Sequence, residues 1–327
     1  MVIRVGIVGY GWWGAELGQA IAELPGRFEI AACATPNGRE RKTFSERFGA
    51  PAMANMDPLL NDRSIDAVLL ATPHSLHSDQ IRMAAAAGKH VFCEKPLSLT
   101  KSAAELAVAA AERHGVVLAV GHNRRFSAGA AKLQEYVQTG MFGTILHVEG
   151  NISSASALRY SSSFWRAQRT EAPAGGLASM AVHALDLMLC LLGPVRRVSC
   201  LSRRRAVNVD IDDTTAILLD FESGVTGTLG TMFATPLTSF MHIYGTQGIA
   251  NTHEDFTKLE WLDRDSKTHI ISLPSVDTVK AELEAFSMAI DGEAEFPVRP
   301  REAVRNVAVL EAIARSADGN GAWTKPE

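Results

Sequence analysis

The stretch Val2-Ile3-Arg4-Val5-Gly6-Ile7-Val8-Gly9-Tyr10-Gly11-Trp12-Trp13-Gly14 decides how this chain folds. Residues 2–8 are an apolar run of the kind a strand buried on both faces requires, and residues 15–22 space their apolar side chains as a helix does. Between them stands G-x-G-x-x-G. Alone that pattern is weak, because glycine is common; between a strand and a helix it proposes a dinucleotide site. Gly9 suits the tight turn, Gly11 lets backbone approach a pyrophosphate, and Gly14 lets the helix pack close to the strand. The free N–H groups of the helix N-terminus then face the anion.

Outward from this loop the same rhythm continues to residue 121. Apolar runs at 29–34, 67–71, 90–93 and 116–120 read as strands. Helices are expected at 78–87 and 101–113, ending near Gly88 and Gly115, where a C-cap favours glycine. Alternating strands and helices mean βαβ units and a parallel sheet. After residue 121 a helix (128–138), a strand (144–152) and a second helix (177–192) precede a run of strands at 198–201, 214–221, 225–233, 240–244 and 258–262. Turns at 222–224 and 245–248 read as hairpins. This is an α+β domain with a large, mostly antiparallel, open-faced sheet. Two further helices (279–291 and 301–317) are separated by Pro297 and Pro300. The expected domains are 1–121, 122–300 and a C-terminal helix, 301–327, packing back on the first.

With 327 residues, 46% hydrophobic content and a net charge of −4, the chain supports substantial cores. It carries no general attraction for nucleic acid or an anionic membrane. No apolar run approaches the roughly 20 residues of a membrane span. Cys33, Cys93, Cys190 and Cys200 lack C-x-x-C spacing and read as small buried hydrophobes in a reducing cytoplasm. Arg203-Arg204-Arg205 reads as a solvated loop or strand end. A cytoplasmic location is expected.

Three further clusters carry chemistry. Ala71-Thr72-Pro73-His74-Ser75-Leu76-His77 follows a strand, at the carboxyl end where open α/β sheets bind ligands. Glu94-Lys95-Pro96 places charge directly after a buried strand, which is costly unless the charge is used or paired. Gly175-Gly176 leads into a helix with Ser179 one turn before His183, on one face. His74 and His77 lack a third ligand nearby, so no metal is expected.

In their order and spacing these motifs resemble the glucose–fructose oxidoreductase / inositol dehydrogenase / rhizopine-catabolism family of NAD(P)-dependent oxidoreductases. So do Gly121-His122-Asn123-Arg124-Arg125-Phe126 and Trp165-Arg166. The resemblance covers essentially the whole chain. It implies a Rossmann domain, a second domain whose open sheet serves in oligomer contacts, and hydride transfer between nicotinamide and a secondary alcohol or ketone of a small sugar-, polyol- or carboxylate-like substrate. A catalytically silent NAD(P)-sensing protein of the same fold is the alternative. Lys95 matches the lysine that touches nicotinamide ribose and substrate hydroxyl, and His183 the histidine that exchanges the proton; an ordinary pKa of about 6.5 suits that task. Cofactor contacts are implied for Gly9, Tyr10, Gly11, Trp12, Trp13, Gly14, Ala71, Thr72, Pro73, His74, His77, Glu94, Lys95 and Asn123. Substrate contacts are implied for Lys95, Arg124, Trp165, Arg166, Ser179 and His183. Ser179 departs from the family's aspartate, which favours a less hydroxylated or an anionic substrate that arginines meet bidentately.

Cofactor choice turns on the second strand. NAD-binding sites end it with an acid that holds the adenosine ribose. Here that position is Thr35, with Arg39 beyond it to pair with a 2′-phosphate, so NADP is expected in preference to NAD. The small-molecule substrate aside, the expected partner is a second copy of the chain, in a homodimer or homotetramer formed through the open sheet.

Overall fold

The computed structural model describes residues 2–327 and divides them into two compact units. The first contains β1 (Ile3–Val8), α1 (Trp12–Ala22), β2 (Phe28–Ala34), α2 (Gly38–Phe48), β3 (Ala52–Met53), α3 (Asp57–Asn61), β4 (Ala67–Leu70), α4 (His77–Ala86), β5 (His90–Glu94), α5 (Lys101–His114) and β6 (Leu118–Gly121). Its six strands are parallel, in the order β3-β2-β1-β4-β5-β6. Val5, Ile7 and all four residues of β4 are fully buried, as a sheet covered on both faces requires. The strand order reverses between β1 and β4. A crevice therefore opens outside their carboxyl ends, where the glycine loop and residues 71–77 lie.

The second unit contains α6 (Ala128–Gln138), β7 (Ile145–Ser153), α7 (Val182–Leu192), β8 (Val195–Arg203), β9 (Thr214–Phe221), β10 (Thr226–Met232), β11 (Thr238–Gly245), β12 (Gly248–His253), β13 (Lys258–Asp263) and β14 (Thr268–Ser272). These eight strands form one sheet, ordered β14-β13-β12-β11-β7-β10-β9-β8. Every pairing is antiparallel except β7 with β10. Period-2 alternation sets its two faces: β9 buries Thr215, Ile217, Leu219 and Phe221 while Ala216 and Leu218 are exposed. Gly150 leaves room on the covered face for α7; a Cβ there would come within 2.6 Å of the Met188 Cε. The fold is thus a parallel α/β domain and a mostly antiparallel α+β domain.

Two more helices follow, α8 (Thr278–Ile290) and α9 (Pro300–Asp318). Here the division differs from the one read in the sequence. Residues Asp277–Val304, and so α8, belong to the first unit; Arg305–Glu327 belong to the second. The contacts explain it. Phe286 of α8 packs on Phe92 of β5 with ring centroids 5.8 Å apart, and Lys280 pairs with Glu23 at 3.2 Å. Ser316 Oγ of α9 accepts the Cys200 N–H at 2.9 Å, and Thr324 bridges to Val198 of β8.

Some elements escaped the sequence pattern for physical reasons. α2 turns only Phe44 and Phe48 inward, a single i, i+4 pair on an otherwise polar helix, too little for an apolar stripe to show. β12 begins where the expected turn at 245–248 ends and was given no assignment, and β14 has little buried surface to betray it. Cys190 is exposed, contrary to the expectation for all four cysteines; Cys33, Cys93 and Cys200 are buried. Burial pushes the Cys33 and Cys200 thiols up to about 12. Among the described residues, no helix is long and apolar enough to cross a membrane.

The basic run at Arg203–Arg205 ends β8 and turns around one carboxylate. Asp213, 1% exposed, accepts the N–H groups of Arg205, Ala206 and Val207 at 3.0, 2.7 and 2.9 Å, and the Thr214 hydroxyl at 2.8 Å. Burial pushes its carboxyl up, but the donated hydrogen bonds outweigh that and hold it below the usual aspartate range. A folded-state pKa below the unfolded one stabilises above the unfolded value, and that contribution is lost as pH falls through the folded value. Asp213→Asn is therefore expected to lower the urea midpoint at neutral pH. The gap from the parent should narrow below about pH 4, where the unfolded aspartate takes up its proton.

Candidate active site

Gly9 adopts φ +86°, and a Cβ there would sit 2.6 Å from the Ala71 carbonyl oxygen. A Cβ on Gly14 would lie 2.0 Å from the Gly9 carbonyl oxygen. Neither clash can be relieved by a side-chain rotation, because backbone is what stands in the way. Gly11 is different: nothing lies within 4 Å of its missing Cβ, and it forms the N-cap of α1 without a side-chain hydrogen bond. By contrast Asn37, Thr100, Ser127 and Asp277 cap α2, α5, α6 and α8 with their own side chains. The first N–H groups of α1 thus face open space, which fits a pyrophosphate. Trp12, 74% exposed, stands at this opening with its ring 5.3 Å from that of Trp13. Tyr10 does not reach it. Its ring is buried edge-on against Phe44 at 5.0 Å, so only its backbone belongs to the loop.

Thr35 directly follows β2 and is 2% exposed. Its hydroxyl donates to Glu40 Oε2 at 2.5 Å, and its carbonyl accepts from Arg41 at 2.7 Å. Asn37 Nδ2 holds the other Glu40 oxygen at 3.2 Å. The sequence reading placed no carboxylate at this strand end; the structure brings one back from the first turn of α2. Arg39 is exposed, its own N–H held by Asn37 in the cap.

Beyond β4, Thr72 donates to Gln80 at 2.5 Å, and a short turn, His74–Leu76, leads into α4. His74 and His77 are 2% and 0% exposed, with rings 6.0 Å apart. His77 Nδ1 lies 2.8 Å from the Pro96 carbonyl and Nε2 lies 3.0 Å from the Thr72 carbonyl. Both partners are acceptors. A neutral ring donates to one of them and an imidazolium to both. His77 is therefore a strut between the end of β4 and the Lys95–Pro96 turn, not a side chain that faces open space. Glu94 closes β5, 6% exposed, with its carboxyl over Gly121 of β6; Lys95 follows, half-buried.

In the second unit, Ser179 lies in a π-helical turn, Leu177–Ala181, that runs into α7. Such turns are rare and recur at functional sites. Ser179 and His183 are both half-buried. One turn past His183, Asp186 takes Arg125 bidentately at 2.7 and 2.8 Å, with both side chains nearly dry, and accepts Asn306 at 3.3 Å. Asp186 was not among the residues read from the sequence as functional; the signal for it is an acid on a helix that is apolar but for His183. Asn123 begins the turn Asn123–Phe126. Arg124 pairs with Asp255 and lines a recess of about 680 Å³ with Phe240 and Lys258. Arg166 stacks over Trp165 at 4.1 Å. Arg169 pairs with Asp212 at 3.1 Å.

Residues 3–122 match the model of an oxidoreductase family with an NAD-binding Rossmann fold, and residues 130–251 match the GFO/IDH/MocA C-terminal domain. The chain belongs to this family. It is similar to a 2,7-anhydro-N-acetylneuraminate hydratase of Mediterraneibacter gnavus (30% identity; 57% of this chain, 48% of that one). It is also similar to a 1,5-anhydro-D-fructose reductase of Ensifer adhaerens (27% identity; 88% and 85%). The chain spans about half the length of the first curated relatives it matches. Among solved structures, a levoglucosan dehydrogenase in complex with NADH shares the fold with a TM-score of 0.91, at 22% identity over 100% of both chains.

Removing one partner of a dry, bidentate ion pair leaves a buried charge uncompensated, at a cost of about 3–5 kcal/mol. Asp186→Asn is expected to destabilise the protein on that scale in urea unfolding, while Arg82→Ala, at the exposed pair with Asp79, stays within about 1 kcal/mol of the parent.

Proposed function

We propose that this chain is an NAD(P)-dependent oxidoreductase acting on a secondary alcohol or ketone of a small cyclic sugar derivative. The observation that carries the reading is Lys95, half-buried directly beyond β5 on the carboxyl side of the parallel sheet, beside the buried Glu94 and in the unit that carries the uncapped glycine loop. The names of the relatives, a reductase and a hydratase of anhydro sugars, support turnover over silent sensing and point to the substrate class.

When bound, the nicotinamide cofactor supplies the hydride acceptor or donor. The chain's own groups do the rest. Lys95 donates to the reacting oxygen and stabilises its alkoxide character. His183 takes the hydroxyl proton in oxidation and returns it in reduction. Ser179, a turn before it, offers a neutral hydroxyl where an aspartate would add charge, which suits a substrate with few hydroxyls. Trp12 covers the pyrophosphate, Asn123 meets the nicotinamide end, and Trp165 and Arg166 line the substrate side. At the adenosine end, Arg39 and Arg41 favour NADP, and the carboxylate of Glu40 opposes it. The assembly is a homodimer or homotetramer through the exposed face of the eight-stranded sheet, where Leu201 and Leu218 stand half exposed. The unpaired buried thiols suit a cytoplasmic location.

Lys95→Ala is expected to lower kcat by about 10²–10³-fold, the scale for one preorganised donor. His183→Ala is expected to cost about 10²–10⁴-fold and to flatten the pH–rate profile near neutrality, with cofactor affinity retained. Near-parental turnover in His183→Ala would remove the proton-transfer role. Cofactor fluorescence should show tighter binding of NADP than NAD, with Thr35→Asp reversing the order; equal or tighter NAD binding in the parent contradicts the adenosine-end argument. Light scattering at micromolar concentration should give a multiple of the 35.2 kDa chain mass, and a monomer would contradict the assembly.

A further inference from the structure

Glu282 lies on α8 and is 0% exposed, and neither of its carboxyl oxygens has a hydrogen-bond partner. Geometry says what it faces. Phe286, four residues on and therefore on the same side of α8, packs against Phe92 of β5. Glu94, two residues beyond Phe92, lies on the same side of β5. Two glutamates thus share one dry region behind Lys95. The charged groups that act on Glu282 are Glu94 and Lys95; on its own helix, Lys280 is turned toward Glu23 and Glu284 is exposed.

Lys95 offers one positive charge, and one carboxylate matches it. A second carboxylate in the same dry space would be uncompensated, and two like charges so placed do not both ionise at neutral pH. We propose that Glu282 is held as the neutral carboxylic acid, so that the Glu94/Glu282 pair carries a single negative charge, and that Glu282 is a positioning residue that sets the charge opposite Lys95. Burial first, and then the neighbouring Glu94, push the Glu282 carboxyl well above the usual glutamate range, with Lys95 opposing. Raising the pH removes the Glu282 proton to solvent. The new negative charge then holds the Lys95 proton more tightly, so the ammonium outlasts the pH at which a single carboxylate would release it. The inference rests on Lys95 being the working lysine of the proposed function, but its test reads no turnover.

Infrared spectra of protein labelled with ¹³C-carboxyl glutamate should show one protonated buried carboxyl at neutral pH, absent in Glu282→Gln. Acetic anhydride labelling of Lys95, mapped by mass spectrometry across pH, should have a midpoint lower by about one pH unit in Glu282→Gln, the lower end of the shift a close charge produces. No protonated carboxyl at neutral pH overturns the proposal. So does a carboxyl band that persists in Glu282→Gln, or an unchanged Lys95 midpoint. If that variant does not fold, titration of the parent decides: the band must be present at pH 7 and bleach only on the alkaline side, and loss of the band below neutrality overturns it.

Discussion

Two contacts of backbone on backbone hold the nucleotide end of this protein together. The space above the Gly9 carbonyl has room for the α carbon of Gly14 and nothing larger, and the Ala71 carbonyl leaves the same margin for Gly9. Through them the ends of β1 and β4 and the start of α1 are drawn into one knot at the reversal of strand order. Any side chain at either glycine would push the helix off the sheet. The opening above Gly11 would lose the aim of its N–H groups, and residues 71–77 would lose the wall they run along. His77 carries this constraint onward. Anchored at the Thr72 carbonyl, it fixes the Pro96 carbonyl and with it the turn that presents Lys95. The position of the lysine is thus inherited from the glycine loop through a chain of backbone contacts.

Burial of charge is the second theme, and each unit handles it differently. In the second, Asp186 and Arg125 form a dry bidentate pair with Asn306 donating to the same carboxylate, so the helix bearing His183 is held by a rigid, neutral pair. In the first, Lys95 is set beside two buried glutamates, and the balance there is decided by protons. The histidine thereby has a stiff support and the lysine a titratable one. Dry surroundings strengthen both arrangements, because charges in a low dielectric interact more strongly than in water.

Five of the six strands of the parallel sheet were legible in the sequence, while α2, β3 and α3 were not. The legible strands are continuous apolar runs, and α4 and α5 end near Gly88 and Gly115, so there local pattern and fold agree. The family motifs likewise placed Lys95 and His183 after a buried strand and on an apolar helix. What stayed hidden was set by contacts distant in sequence. Thr35 was read as leaving the strand end without an acid, because nothing local shows that Glu40 turns back to it across five residues. His77 was read as lining the cofactor; only the folded chain reveals the Pro96 carbonyl 19 residues away. The placement of α8 depends on Phe286 meeting Phe92, nearly two hundred residues apart, and Glu282 acquires meaning only through that packing. The π-helical turn at Ser179 has no composition signal at all.

Hydride transfer itself is the central claim, and isotope transfer tests it most directly. Cyclic sugar derivatives carrying deuterium on the carbinol carbons would be incubated with the protein and oxidised NADP or NAD, and the recovered cofactor examined by mass spectrometry. The account predicts that deuterium from one ring carbon appears in the reduced nicotinamide, as substrate is converted to the matching ketone. Tight cofactor binding with no deuterium in the nicotinamide from any member of the series would contradict it, and would mark the chain as a protein that senses the cofactor without using it.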